Sequence, residues 1–134
     1  MTKSVSKFIK LNICILTISS SRTLADDKSG DVLEKKISAF GHSIYERKIV
    51  KDNKSEIQKI VINWGNDSNI DVIITTGGTG LTGRDITPEA IDEIADKKIP
   101  GFGEIFRYIS LSTVGTSSIQ SRACAVLANG KYVF

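Results

Sequence analysis

Cysteine is nearly absent from this chain: Cys14 and Cys124 are its only two, both in apolar stretches, and no CxxC spacing occurs. That excludes a disulfide framework and a cysteine-based zinc cluster, and it fits free, buried thiols in a reducing cytoplasm. Histidine is scarcer still. The lone His42, after Gly41, has no metal-ligand partner at useful spacing and reads as a residue at the entry to a strand. No apolar run approaches the ~18 residues of a membrane span, so no membrane partner is expected. No basic run carries interleaved aromatics, which argues against nucleic acid as a partner. Repeats and low-complexity tracts are also missing. One stretch imitates a secretory signal: Lys3, Lys7 and Lys10 precede the apolar run 11–18, with Thr23-Leu24-Ala25 beyond it. That run is short, contains Asn12, and reads equally well as a first buried strand.

What remains is an ordinary globular composition. The 134 residues are 40% hydrophobic and 25% charged, enough for one domain, 1–134, with a real core. The net charge of +3 is uneven: residues 1–60 hold 12 Lys/Arg against 7 Asp/Glu, and residues 61–134 hold 6 against 8. A Lys-rich solvated face accounts for this, and so does an anionic small-molecule ligand.

Hydrophobic patterning predicts strands over 11–18, 43–50 and 71–76, with a helix between each pair. The first helix is expected over 31–40, capped by Ser29 and ended by Gly41, with Val32, Leu33, Ile37 and Phe40 at helical spacing. The second strand is expected to set Ile44, Glu46, Lys48 and Val50 on one face. Asn53 or Ser55 then starts a helix whose Ile57, Ile60, Val61 and Trp64 share a face. Two successive βαβ units follow, and their crossovers make the strands parallel. The polar segments 19–21, 51–52 and 77–85 therefore open at one sheet edge, where open α/β sheets bind ligands. Further on, Thr87 is expected to cap a helix running to Lys97 and Lys98, with Pro88 at its first position. Pro100-Gly101 reads as a turn, 102–111 as a helix and 112–118 as a polar loop. Residues 122–128 and 131–134 read as a hairpin around Asn129-Gly130. The expected fold class is α/β, a three-layer αβα sandwich around a mainly parallel sheet with a terminal β-hairpin.

The richest segment is Thr75-Thr76-Gly77-Gly78-Thr79-Gly80-Leu81-Thr82-Gly83-Arg84-Asp85-Ile86-Thr87-Pro88-Glu89. Its glycines let the backbone turn sharply and approach a ligand closely, and its hydroxyls, guanidinium and carboxylate suit phosphate with Mg²⁺. Residues 78–83 satisfy GxGxxG. In a dinucleotide fold, however, such glycines open the helix directly after the first strand. Here Arg84, Asp85 and Ile86 intervene, and the loop follows the third strand. No Gly-Lys-Ser/Thr ends it, so it is not a P-loop.

Thr75 to Glu89, with Ile99-Pro100-Gly101-Phe102-Gly103-Glu104 and Gly115-Thr116-Ser117-Ser118-Ile119-Gln120-Ser121-Arg122, closely resembles the MoaB/MogA family of molybdenum cofactor biosynthesis. Ile15-Leu16-Thr17-Ile18-Ser19 and Asp27-Lys28-Ser29-Gly30 fit as well. The region 106–122 is nearer the MoaB branch. The resemblance implies binding of molybdopterin, a pterin dithiolene with a terminal phosphate, and its adenylylation by ATP with Mg²⁺, with no permanently bound cofactor. By the same resemblance, Asp85 and Asp52 match the family's functional aspartates, with Asp85 orienting Mg²⁺ or the pterin. Gly77, Gly78, Thr79 and Gly80 would wrap phosphate and the adjoining nucleotide, and Arg84 would offset developing negative charge. Ser19, Ser29, Ser121 and Glu104 are lesser candidates. A homotrimer or homohexamer is implied too.

Family members usually continue with a Pro-Gly-containing loop and at least one more helix, whereas this sequence stops at Tyr132-Val133-Phe134. The expectation is a short second hairpin arm that costs its sheet neighbour ladder partners, a helix face missing from the core, and an incomplete ligand site. Some members of the MoaB branch are poor adenylyltransferases. A protein that holds the pterin without turnover therefore stays open, as does a generic nucleotide-binding domain.

Overall fold

The structure is a computed structural model and describes residues 6–134. The expected loose arm at 1–8, and Lys3 of the signal-like stretch, fall partly or wholly in residues 1–5, outside the described residues.

The apolar run that imitated a signal is the central strand of a sheet. β1 (Asn12–Ile18) pairs in parallel with β2 (Ser43–Val50) on one side and β3 (Val72–Thr76) on the other. β3 pairs in parallel with β6 (Lys131–Val133), which turns back through β5 (Val126–Ala128) to the two-residue edge strand β4 (Lys97–Lys98). The six-stranded order is β2-β1-β3-β6-β5-β4. This is the predicted α/β class, a mostly parallel sheet finished by an antiparallel hairpin. Asn129 (φ 49°) and Gly130 (φ 77°) form its two-residue turn, in the left-handed region that such a turn demands.

Alternation along β1 divides the core. Cys14, Leu16 and Ile18 face α2 (Lys54–Gly65) and α3 (Thr87–Ile94), where they meet Ile57, Val61, Trp64, Ala90 and Ile91. Ile13 and Ile15 face the other way, toward Ile37 of α1 (Lys28–Ala39). Burial and two nearby carboxylates push the Cys14 thiol up to about 12, so it is an inert core group.

Several local expectations are corrected. Asp27 caps α1, not Ser29: its carboxylate accepts from the Gly30 amide at 3.0 Å, so the helix begins earlier and Ser29 lies inside it. Phe40 ends up exposed. Ile44 and Val50 do not share a face, because a register shift opposite Ile13/Cys14 forms a bulge at Tyr45 that flips the strand, leaving Ile44 on the α1 side. Asn53, the first of the two proposed caps, starts α2 by accepting from the Glu56 amide at 3.0 Å.

α3 ends at Ile94, since the Asp96 amide donates to Leu127 O and draws Lys97 and Lys98 into the sheet edge. Pro100 and Gly101 are not a turn but the first turn of α4 (Pro100–Val114), where proline's missing N–H costs nothing. A 3₁₀ helix, Gly115–Gln120, replaces most of the expected polar loop. Only Val126–Ala128 of the expected 122–128 strand is extended in the sheet. Short as β6 is, its ladder to β3 is continued by Phe134, which donates to Ile73 O at 2.9 Å and accepts from the Thr75 amide at 2.7 Å. The expected loss of ladder partners next to it does not occur over this stretch.

Candidate functional site

Parallel pairing sends the C-terminal ends of β1, β2 and β3 to one edge, and the loops after them enclose a polar cavity of about 440 Å³. Ser19, Ser29, Asp52, Gly77, Gly78, Arg84 and Asp85 all line it, joined by Ser20, Ser21 and Arg22. Seven of the residues singled out in the sequence therefore meet around one space.

The glycine loop reaches it only because two positions lack a side chain. Gly77 (φ 99°) would drive a Cβ to 2.3 Å from Ile18 O, and Gly78 (φ 70°) would place one 2.3 Å from Thr87 Oγ1. Thr87 does not cap α3. Its buried hydroxyl donates to Gly77 O at 2.8 Å and its amide to Gly78 O at 3.2 Å, stapling the helix start to the loop.

The two carboxylates are held differently. Asp85 Oδ2 accepts from the Thr82 hydroxyl at 2.6 Å and the Thr82 amide at 2.9 Å. Those two bonds, with the nearby Arg84 and Arg122 charges, lower the Asp85 pKa and keep it an anion. Asp52 Oδ2 accepts from the Ser20 hydroxyl at 2.7 Å. In both, one carboxylate oxygen is fixed by a loop hydroxyl while Oδ1 has no hydrogen bond among the described residues. Arg22 and Arg84 also line the cavity, and neither forms an ion pair among the described residues. Two carboxylates, and two guanidiniums with no ion-pair partner among the described residues, line one polar cavity, and that combination suits a phosphorylated ligand with a divalent cation. Among the described residues no cluster of three or more His, Cys, Asp or Glu exists, so Mg²⁺ would take its remaining ligands from phosphate oxygens and water, as it usually does.

A second cavity, apolar and about 490 Å³, adjoins the first through Ser29, Thr76 and Gly77. It lies between α1 (Val32, Leu33) and α4 (Phe102, Phe106), with Ile74 and Phe134 beneath. Thr79 lines this apolar space rather than the polar one. Gly80 lines neither; its carbonyl accepts from Arg122 Nε at 2.8 Å. Ser121 and Glu104 are not brought to the polar cavity. The Ser121 carbonyl accepts from Arg107 at 3.1 Å, and Glu104 stands on α4 beside a separate depression with Asp92 and Lys98.

A family profile described as "Probable molybdopterin binding domain" matches residues 14–134. The chain belongs to the MoaB/MogA family. It is 40% identical, over its whole length and 79% of the relative's, to molybdenum cofactor biosynthesis protein B of Escherichia coli K12. A crystal structure of a molybdenum cofactor biosynthesis protein B superposes with a TM-score of 0.89 at 42% identity, over 96% of this chain and 81% of that one. The tungsten cofactor synthesizing protein MoaB from Pyrococcus furiosus superposes at 0.80 with 35% identity, over 93% and 80%.

Within this MoaB/MogA frame, the sequence places Ser20 and Thr82 in segments that converge on the site but gives them no role of their own, and it does not single out Arg22, Arg122 or Thr87 as a loop staple. Arg22 directly follows the polar segment 19–21, and an arginine there is a usable signal. Arg122 ended one of the family motifs, but its partners lie 33 to 42 residues away and spacing alone does not reveal them.

Proposed function

We propose that this protein binds molybdopterin in the cytoplasm and adenylylates it with MgATP, acting as a single-domain homo-oligomer. The observation that carries the reading is that Asp52 and Asp85 share one polar cavity with Arg22 and Arg84, neither of which has an ion-pair partner among the described residues. In this reaction an oxygen of the pterin's terminal phosphate forms a bond to the α-phosphorus of ATP while the bond to the pyrophosphate oxygen breaks. The attacking oxygen is already ionised, so no protein base is needed, and catalysis reduces to positioning and charge neutralisation. Arg22 and Arg84 would hold the phosphates, and Asp52 and Asp85 would hold Mg²⁺, whose charge offsets that of the departing pyrophosphate. Ser20 and Thr82 keep the two carboxylates aimed, and the apolar cavity adjoins the polar one through Ser29, Thr76 and Gly77.

The oligomer is supported by α4 and the 3₁₀ helix after it, where Ile105, Tyr108, Ile109, Val114 and Ile119 are each more than half exposed. A cytoplasmic setting is supported by the two free cysteines. Among the described residues no helix is long and apolar enough to cross a membrane.

The test is formation of adenylyl-molybdopterin and pyrophosphate from molybdopterin and MgATP. Wild type should turn over, and Asp85→Asn should lose about a hundredfold in rate. Equal rates for the two proteins would overturn the catalytic reading. Retained pterin binding without turnover in wild type would leave a carrier of the pterin. Tight binding of other nucleotides with no affinity for pterin would indicate a general nucleotide-binding domain.

A further inference from the structure

Three arginines surround the glycine loop, and they are used in two different ways. Arg22 and Arg84 line the polar cavity without an ion-pair partner among the described residues. Arg122 is fully engaged behind the loop. Its amide donates to Thr79 O at 3.1 Å, its Nε to Gly80 O at 2.8 Å and its Nη2 to Asp85 O at 2.9 Å, while Nη1 pairs with the Glu89 carboxylate. We propose that Arg122 is a positioning residue for the reaction: it holds the 79–85 loop in the shape that aims Asp85 into the cavity, and Glu89 holds Arg122. The assignment rests on the adenylylation reading for its kinetic consequence, but its structural content stands apart from it.

Packing among the described residues holds the stretch only at its far end, where Ile86 meets the core under α2 and α3. Leu81 is 66% exposed, and the stretch between Thr79 and Thr87 contains no strand or helix. Among the described residues its only other internal bonds are those of the Thr82–Asp85 turn, which closes on itself at 3.0 Å (Asp85 N to Thr82 O) and does not fix the loop against the sheet. Thr87 anchors the loop only at Gly77 and Gly78. Arg122 supplies the missing anchor from the far side, reaching acceptors at both ends of the turn. A planar guanidinium serves several acceptors at once, which a lysine ammonium on a flexible stem cannot match. The bonds have an electrostatic effect as well. Carbonyl oxygens of Gly80 and Asp85, which would repel a phosphate, are turned onto a cation instead. Glu89 stands on the first turn of α3, so the pair also links the loop's tether to the helix that Thr87 staples to Gly77.

The experiment uses the full chain with Arg122→Ala, Arg122→Lys and Glu89→Gln, read by amide hydrogen exchange without ligand and by steady-state adenylylation of molybdopterin. In Arg122→Ala, exchange at the 79–85 amides should rise by about tenfold or more while β1 and β3 keep their protection. The kcat should fall about a hundredfold, as a displaced reacting group requires, with KM for molybdopterin moving less than about threefold. Arg122→Lys should restore neither quantity. Glu89→Gln, which keeps an acceptor, should fall between wild type and Arg122→Ala. Wild-type loop exchange in Arg122→Lys would overturn the assignment, and so would a loss confined to KM. If Arg122→Ala unfolds globally, the lysine and glutamine variants carry the decision. If wild type makes no adenylyl-molybdopterin, the adenylylation reading fails on its own, and loop exchange still decides whether Arg122 holds the loop.

Discussion

The two faces of the sheet are built to different standards. Under α2 and α3, Leu16, Ile57, Val61, Ile73, Ile91 and Val126 are all at most 2% exposed and form one continuous core. Under α1 and α4, only Ile13, Ile15, Ile37 and Val72 are buried in the corresponding cluster, an apolar cavity stays open, and Val32 is 52% exposed. Burial of apolar surface is the dominant source of stability, so the first face carries the fold. The second carries the adaptable surface, and the site lies along the edge where both faces share the strand ends.

The sharpest way to break this contrast is to cut each face equally. Ile73→Ala removes a fully buried side chain from the middle of the sheet and should cost about 3–5 kcal/mol, read by urea unfolding. Val32→Ala, beside the open cavity, should change stability by less than about 0.5 kcal/mol. Similar losses for both would mean that the two faces are equally packed.

The α1 face does hold one rigid element, and it is polar. Asp27 is fully buried and accepts from the Thr17 hydroxyl at 2.6 Å, the Gly30 amide at 3.0 Å and Arg47 at 3.0 Å. Burial by itself would raise the Asp27 pKa, but the bonds from Thr17, Gly30 and Arg47 outweigh it and the pKa is lowered. A carboxyl whose folded pKa lies below its unfolded value of ~3.9 contributes stability that is present above that value and lost as pH falls through the folded pKa. Asp27→Asn keeps a cap for Gly30 but turns an amide donor toward Thr17 and Arg47. It should cost about 3 kcal/mol at neutral pH and flatten the acid limb of the stability curve. An unchanged acid limb would assign the acid sensitivity to other carboxylates.

This polar anchor also shows where sequence reading stops. The parallel core was legible because apolar runs of strand length alternate with helical periodicity, and the glycine loop because its residue types are unusual together. Asp27 and Ser29 are both good caps two residues apart, and only the long-range partners Thr17 and Arg47 decide between them. Pro100-Gly101 reads as a turn or as a helix start by local rules alone, and sheet capture of Lys97 and Lys98 is what ends α3 early. The bulge at Tyr45 leaves no local mark, because either register offers an apolar residue to each face. At the site, most residues that line the cavity were visible by type, Arg22 excepted, while those that hold them in place, Arg122 above all, depend on contacts across the fold.

A smaller effect should separate the cavity wall from the core proper. Phe102 packs against Phe134 and Phe106, with ring centroids 4.9 and 5.7 Å away. Phe102→Leu keeps an apolar group but loses those ring contacts, so it should cost about 1 kcal/mol by thermal unfolding. A cost near that of Ile73→Ala would place this wall in the main core and weaken the contrast.

A change in stability as small as that of Val32→Ala is expected on α4 itself, and there the contrast becomes a statement about assembly. Ile105 and Ile109 stand one turn apart on an exposed strip, 60% and 64% accessible, flanked by Tyr108 at 75%. Side chains this exposed contribute little to a folded monomer, and an exposed apolar strip of this kind marks an interaction surface. Ile109→Ser should therefore shift the unfolding free energy of the monomer by less than about 0.5 kcal/mol, yet reduce the molar mass seen by light scattering from that of an oligomer toward one chain. The two readouts pull apart by design. A large loss of stability at constant mass would mean that α4 is packed within its own chain, and the open face would be better closed than its geometry implies. Loss of mass at constant stability would show that the face left thin by the monomer's core is completed by a neighbouring copy.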